Sequence, residues 1–282
     1  MMLSRLLEEL VRQDTNNFFT YSIVITDNDV QESAKQLVHV FAVESNIEIT
    51  YCVEPRKNIA LARNKGLEKA KGDVVAFIDD DEFPSTNWLL EMWKILIRYQ
   101  AAGVLGPVKP VFDSQPPAWL MKGGFFNRPA YRTGFILQWE ECRTGNVLIS
   151  KSILEKLDTV FRPEFGAGGE DQDLFRRLIK MGHNFVWCNE GAVFETVPPH
   201  RWKRAYLMRA ALLRGNLTLL HPGGRVKPIL KSLLAVPIYG LSLPVLQLIG
   251  HHYFMNYLVK LCDHAGRLLA LMGLNPVRDR KT

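Results

Sequence analysis

The chain has 282 residues, 47% of them hydrophobic and 23% charged, with 20 glycines and 15 prolines. That composition excludes a disordered, collagen-like or low-complexity chain, and the length suffices to bury a core as one large or two small domains without metal or disulfide staples. The net charge of +6 hides an asymmetry: residues 1–199 hold 22 Lys and Arg against 27 Asp and Glu, whereas residues 200–282 hold 13 against 2. The basic residues of this tail flank apolar sequence rather than aromatic stacking platforms, so an anionic membrane is the expected partner and nucleic acid is not.

Residues 1–13 read as an amphipathic helix with Leu3, Leu6, Leu7, Leu10 and Val11 on one face, and with no basic region before an apolar run they do not read as a cleaved signal. A β-branched strand over 22–26 ends in the turn Asp27-Asn-Asp29, and a helix over 31–44 and a strand over 47–53 follow. A helix over 58–71 is stopped by Gly72, and 73–79 form a nearly continuous apolar strand. Ser85 or Thr86 caps a helix running to 100, residues 103–109 form a strand, and 110–132, rich in Pro and Gly, form a long irregular insertion. A strand over 145–150, a helix over 170–181 closed by Gly182 and a strand over 184–189 complete the pattern. Alternation of this kind implies an α/β fold with a mostly parallel sheet covered by helices on both faces.

The last third changes character. Residues 232–259 contain no Lys, Arg, Asp or Glu, are preceded by Arg225, Lys227 and Lys231, and are broken by Pro237, Gly240, Pro244 and Gly250. The length suits a bilayer, and the paired prolines suggest a bent or re-entrant segment. A second apolar helix, 253–272, carries Lys260, Asp263 and Arg267 on a polar stripe, as an interfacial helix would. Cys52, Cys142, Cys188 and Cys262 lie far apart with no C-x-x-C pair, which excludes a zinc ribbon and suggests a reducing compartment.

Two acidic clusters carry the chemistry. Asp79-Asp80-Asp81-Glu82 follows the apolar strand, where open α/β sheets place ligands, and adjacent carboxylates repel one another unless a cation sits among them. Alternation along an extended segment would point Asp79 and Asp81 the same way, and their hard oxygens suit Mg or Mn with a diphosphate completing the shell. In the second cluster a glycine-rich loop, 166–169, opens a helix whose first turn holds Glu170 and Asp171. Acidic residues there are also ordinary helix-start residues, so the pairing of the two clusters is what points to a site.

In order, Ile-Thr-Asp27, Arg56-Lys-Asn58-Ile-Ala-Leu-Ala-Arg63-Asn64-Lys-Gly66, Val-Ala-Phe-Ile-Asp79-Asp-Asp81-Glu-Phe-Pro84, Thr144-Gly145-Asn146 and Gly168-Gly169-Glu170-Asp171 resemble the family 2 glycosyltransferases of GT-A fold over about residues 3–215. The likeness is to bacterial exopolysaccharide enzymes of the succinoglycan type. It implies that Asp27 contacts the nucleotide base, that Arg63 and Asn64 lie near the nucleotide, that Asp79 meets the nucleotide sugar and that Asp81 holds a divalent metal, Mn or Mg. It further implies that Gly145 and Asn146 lie by the donor sugar and that Asp171 is the catalytic base beside Glu170. Residues 1–215 would be the GT-A domain and 216–282 a membrane-associating tail.

The resemblance also has departures. The family normally begins with a strand carrying a Pro-Thr-Tyr-like nucleotide loop, whereas this chain starts at the helix, so a start assigned too late is the expectation. Only the Arg201-Trp202 half of a Gln-x-x-Arg-Trp motif is present, which argues against processive synthesis while leaving Arg201 for the diphosphate. Glu195 and His200 both stand as candidates for a further metal ligand. The basic stretch of Arg201, Lys203, Arg204, Arg209 and Arg214 would face anionic lipid or the pyrophosphate of a lipid-linked acceptor.

The expected activity is inverting transfer of a hexose from a nucleotide-diphosphate sugar, a UDP-sugar in the first instance, to a lipid-linked saccharide at the cytoplasmic face of a bacterial inner membrane. A non-catalytic transferase-like scaffold is the alternative. A haloacid-dehalogenase-like phosphatase, whose D-x-D-x-[TV] also follows an apolar strand, fails on Phe83.

Overall fold

A computed structural model describes residues 2–166, 168–217, 226–274 and 277. The chain divides into two compact units, Met1–Val111 with Arg128–Thr196, and Phe112–Asn127 with Val197–Thr282. The units part at Thr196 rather than at residue 215, and a piece of the expected irregular insertion belongs to the second unit.

In the first unit, α1 (Met2–Leu10), β1 (Ile23–Asp27), α2 (Lys35–Glu44), β2 (Ile49–Val53), α3 (Ile59–Lys69) and β3 (Val74–Ile78) follow the expected order. Then come β4 (Glu82–Pro84), α4 (Trp88–Tyr99), β5 (Gly103–Leu105), β6 (Val108–Val111), β7 (Asn146–Ser150), α6 (Lys151–Leu154), α7 (Glu170–Lys180), β8 (Phe185–Trp187) and β9 (Val193–Thr196). Helix α5 (Ala118–Gly123) lies in the second unit.

The strands form three mixed sheets, ordered β1-β2, β3-β7-β5-β8 and β4-β9-β6. Pairs β1-β2, β5-β8 and β6-β9 are parallel, and β3-β7, β5-β7 and β4-β9 antiparallel. Strand β7 runs against both of its neighbours, which is why the sheet is less parallel than the strand-helix alternation suggests. Val104, Leu148 and Val186 pack with Leu7, Trp88 and Met92 of α1 and α4. Their neighbours Leu105, Val147, Ile149 and Phe185 pack with Phe161, Leu174, Phe175 and Leu178. The alternation of side chains along each strand thus covers the four-stranded sheet on both faces, and each fully buried Leu or Phe contributes roughly 2 kcal/mol.

Several boundaries differ for local reasons. The strand expected over 103–109 splits into β5 and β6 around Gly106-Pro107, where proline has no N–H for the ladder. Helix α4 is preceded by Asn87 rather than capped by Ser85 or Thr86, and the Ser85 carbonyl accepts from Trp88 N (3.0 Å) and Gln13 Nε2 (2.8 Å).

The second unit contains α5, a 3-10 turn (Pro199–Trp202), α8 (Arg204–Leu217), α9 (Val226–Ile249) and α10 (His251–Leu271). Leu120, Leu207 and Met255 form its small core with Phe112, Trp119 and Trp202, and Asn256 Nδ2 donates to the Gly123 carbonyl (3.2 Å). The re-entrant break expected at Pro237 and Pro244 does not occur. Each proline forfeits one i→i−4 bond and the surrounding turns bridge it, so α9 stays one helix to Ile249. It is long and apolar enough to cross a membrane, and Leu234, Ile238, Leu241, Val245 and Leu248 are exposed. The stripe expected on α10 turns partly inward, because Arg267 is buried with His264 against Ser232 of α9. Arg225, expected to flank the apolar run, and Ala167 of the glycine-rich loop lie outside the described residues.

Candidate active site

Strand β3 ends at Ile78, and Asp79 to Glu82 form a tight turn in which Glu82 N donates to the Asp79 carbonyl (3.1 Å). This turn replaces the extended segment that the alternation argument assumed. Glu82 then begins β4 opposite Glu195 of β9 and is 1% exposed. Arg128 lies between these two carboxylates, 2.5 Å from Glu195 Oε2 and 3.8 Å from Glu82 Oε1. Burial, reinforced by Asp79 and opposed by Arg128, pushes the Glu82 carboxyl up to about 9, so it holds its proton at neutral pH. Gly145, just before β7, approaches these carboxyl groups from the other side. A Cβ there would come within 2.9 Å of Glu82 Oε1 and 3.2 Å of Asp79 Oδ2.

The second acidic cluster reaches the first through Arg63 of α3. Its guanidinium bonds Glu170 Oε1 through Nη1 and lies 3.3 Å from Asp79 Oδ1 through Nη2. Asn58 starts α3 by accepting from Leu61 N (3.1 Å), which fixes the helix that carries Arg63. Gly168 and Gly169, at φ 135° and 96°, take left-handed conformations that let the chain turn sharply into α7. Glu170 thereby starts the helix 4% exposed, with Oε2 lacking a hydrogen-bond partner, while Asp171 is partly open and accepts from Gln172 N (2.7 Å). Burial raises the Glu170 carboxyl above the usual range, with Arg63 opposing and Asp171 adding to it.

Asp79, Glu82, Gly145, Arg63, Glu170 and Asp171 therefore gather within one network, with Asp81 in the turn. Other expected site residues have their polar groups engaged inside the fold. Asp27, 8% exposed, accepts from Asp29 N (3.1 Å), Ala34 N (2.9 Å) and Tyr51 OH (2.9 Å). Asn64 exchanges two bonds with the Phe161 backbone (2.7 and 3.0 Å). Asn146 accepts from Trp88 Nε1 (2.8 Å) and donates to the Pro107 and Gly191 carbonyls (3.1 and 2.8 Å). Glu195 stands in the first unit with Arg128, while Arg201 and His200 belong to the second, where the His200 ring meets Tyr206 edge-on at 6.0 Å.

Sequence reasoning missed Arg128 and the burial of Glu82. Arg128 sits in a segment read as irregular, and its partner Glu195 is 67 residues away, so no local pattern marks it. The one available signal for Glu82 was its position before Phe-Pro, which makes a short strand.

Among the described residues no three His, Cys, Asp or Glu side chains converge as a closed metal site. An open site for Mg²⁺ or Mn²⁺ asks less, one or two carboxylates with water and phosphate oxygens completing the shell. The donor chemistry fits, since Asp79 is half-exposed at 45% and Asp81 stands in the same turn.

The family model of Glycosyl transferase family 2 matches residues 2–157. The chain is similar to the succinoglycan biosynthesis protein ExoM of Rhizobium meliloti (strain 1021), 33% identical over 199 residues covering 69% of this chain and 62% of that protein. It is similar to glycosyltransferase AglE of Haloferax volcanii, 34% identical over 171 residues covering 60% of this chain and 55% of that one. The chain thus spans less than two thirds of the length of either relative. Among solved structures, S. aureus TarS in complex with UDP superposes with a TM-score of 0.54 at 15% identity, covering 97% of this chain and 88% of that one. GalNAc-T7 with UDP, GalNAc and Mn2+ gives 0.54 at 13% identity, covering 72% and 42%. At such identities the likeness is one of fold, which is GT-A-like.

Proposed function

Given that the chain belongs to glycosyl transferase family 2, we propose that this glycosyltransferase transfers a hexose, with inversion, from a nucleotide-diphosphate sugar to a lipid-linked oligosaccharide or polysaccharide. The observation that carries this reading is Arg63 bonded to both Asp79 and Glu170, which ties the two acidic clusters into one site. A UDP-sugar is favoured because the TarS and GalNAc-T7 structures contain UDP. Similarity to ExoM supports an exopolysaccharide as the product class.

In this reading Asp79 orients the donor and Asp81 holds Mn²⁺ or Mg²⁺, with Glu195 of the same unit as the candidate further ligand. When bound, the cation stabilises the charge that develops on the departing diphosphate. Asp171, partly open at the start of α7, accepts the proton of the attacking acceptor hydroxyl, and a single displacement with one base inverts the anomeric centre. Arg63 holds Glu170 beside that base, and the lack of a side chain at Gly145 leaves room beside Asp79 and Glu82. With their polar groups engaged, Asp27, Asn64 and Asn146 serve the donor by fixing the loops around it. The exposed apolar side of α9, with Lys227 and Lys231 in its first turns, supports association with the cytoplasmic face of a bacterial inner membrane.

The test is calorimetric titration of the detergent-solubilised chain with UDP and GDP, with and without Mn²⁺, beside Asp81→Asn. Metal-dependent UDP binding that Asp81→Asn abolishes is the expected result, with sugar transfer then lost in Asp171→Asn. Failure of both nucleotides to bind with Mn²⁺ would favour the scaffold reading instead.

A further inference from the structure

Strand register sets two acidic side chains side by side at the turn that carries Asp79 and Asp81. Glu82 of β4 lies opposite Glu195 of β9, so both leave the same face of that sheet. Each is tied to the turn. Asp79 N donates to Glu82 Oε2 (3.3 Å), and Thr196 N, one residue past Glu195, donates to the Asp81 carbonyl (3.0 Å). On the far side of β9 the residue level with Glu195 is Pro110 of β6, which brings no charge. Two ionised carboxylates directly opposite one another would destabilise the sheet. The fold relieves this twice over, because Glu82 keeps its proton and a cation, Arg128, stands against Glu195.

Arg128 Nη2 lies 2.5 Å from Glu195 Oε2, and Nη1 lies 3.8 Å from Glu82 Oε1. The two acids are nearly enclosed, with side chains 14% and 1% exposed, whereas Arg128 is 41% exposed and has water to move into. A Cβ on Gly145 would stand 2.9 Å from that same Glu82 Oε1 and 3.2 Å from Asp79 Oδ2. The guanidinium is thus separated from Asp79 by a single carboxyl group, within the distance, roughly 10 Å, over which charges in salt solution feel one another. A divalent cation held by the turn and a guanidinium beside it repel, so each weakens the hold of these acids on the other.

We propose that Arg128 is the resident counter-ion of the acidic turn, neutralising Glu195 until a divalent cation enters and competes with it. This rests on the reading of Asp81 and Glu195 as cation ligands and gives that site a regulatory consequence. Competition from Arg128 keeps cation binding weak in the nucleotide-free protein. A diphosphate brings oxygens that accept the fork of a displaced guanidinium, so donor and cation favour one another's arrival.

The test follows free Mn²⁺ by electron paramagnetic resonance as the full chain is titrated without nucleotide, for the wild type, Arg128→Gln and Arg128→Lys. Arg128→Gln is expected to bind Mn²⁺ about tenfold more tightly, and Arg128→Lys, which keeps the charge, to stay within about threefold of the wild type. A merely structural arginine would move affinity the other way, because a loosened β4-β9 pair spoils the turn. Thermal melts in EDTA should show Arg128→Gln melting below the wild type, with saturating Mn²⁺ raising its midpoint by more than it raises the wild type's. Equal or weaker Mn²⁺ binding by Arg128→Gln, or equal tightening in Arg128→Gln and Arg128→Lys, would overturn the proposal. No Mn²⁺ binding by any of the three chains would overturn it together with the cation reading. Mn²⁺ affinities in the expected order, with no UDP binding at saturating Mn²⁺, would support the counter-ion and overturn only the donor reading.

Discussion

The arginines of the two units meet different company. In the first, Arg63 joins the acidic side chains of Asp79 and Glu170, and Asp173 is in turn shared by Arg162 and Arg177, so acidic and basic groups alternate in networks. In the second, Arg267 is approached by Asp263 at 4.0 Å and keeps a buried Nε–H without a hydrogen-bond partner. A buried guanidinium met by two acidic side chains is held more firmly than one approached by a single carboxylate at that distance.

The sharpest way to break this contrast is Arg63→Leu. It strands Glu170 in a buried place, so unfolding free energy should fall by about 3–5 kcal/mol in urea titration, and sugar transfer should vanish. Replacing Arg63 and Glu170 together by Met should recover much of the stability without the activity; a double variant as unstable as the single one would mean that the pair is not the unit of stability. Asn146→Ala leaves the Trp88 indole N–H and two carbonyls without their partner and should cost about 3 kcal/mol. A loss below about 1 kcal/mol would return Asn146 to the donor site. Gly145→Ala places a methyl against Asp79 and Glu82 and should weaken Mn²⁺-dependent UDP binding about tenfold with little change in thermal midpoint.

The last effect is a slope. Glu82 binds its proton more tightly folded than unfolded, so wild-type stability declines as pH rises from about 4.5 towards about 9. Glu82→Gln mimics the protonated acid and should match the wild type near pH 4.5, then gain on it as pH rises; parallel stability curves would show that Glu82 is ionised in the fold.

Much of the first unit was legible because its signals are local. The apolar run before Asp79, Asn58 at the start of α3 and the glycines before Glu170 each fix a conformation within a few residues. Side-chain destinations were not legible in the same way. Asp27, Asn64 and Asn146 match motif positions, yet their bonds depend on Tyr51, Phe161 and Trp88, which only tertiary packing brings near. In the second unit, spacing correctly put Asp263 and Arg267 on one face of α10. It could not reveal that Ser232 of α9 turns part of that face inward.

The second unit is assembled from two stretches of chain, and this orders events at the ribosome. Helix α5, with Trp119 and Leu120, meets α10 through a bond between Gly123 and Asn256, 133 residues later in the sequence. At about 5–20 residues per second, that partner is synthesised on the order of ten seconds after α5 leaves the exit tunnel. During that interval the first unit can complete its own segments up to Thr196, while the aromatic surface of 112–127 waits uncovered. Nascent chains should therefore recruit chaperones or the membrane-insertion machinery through this stretch before α9 has been made.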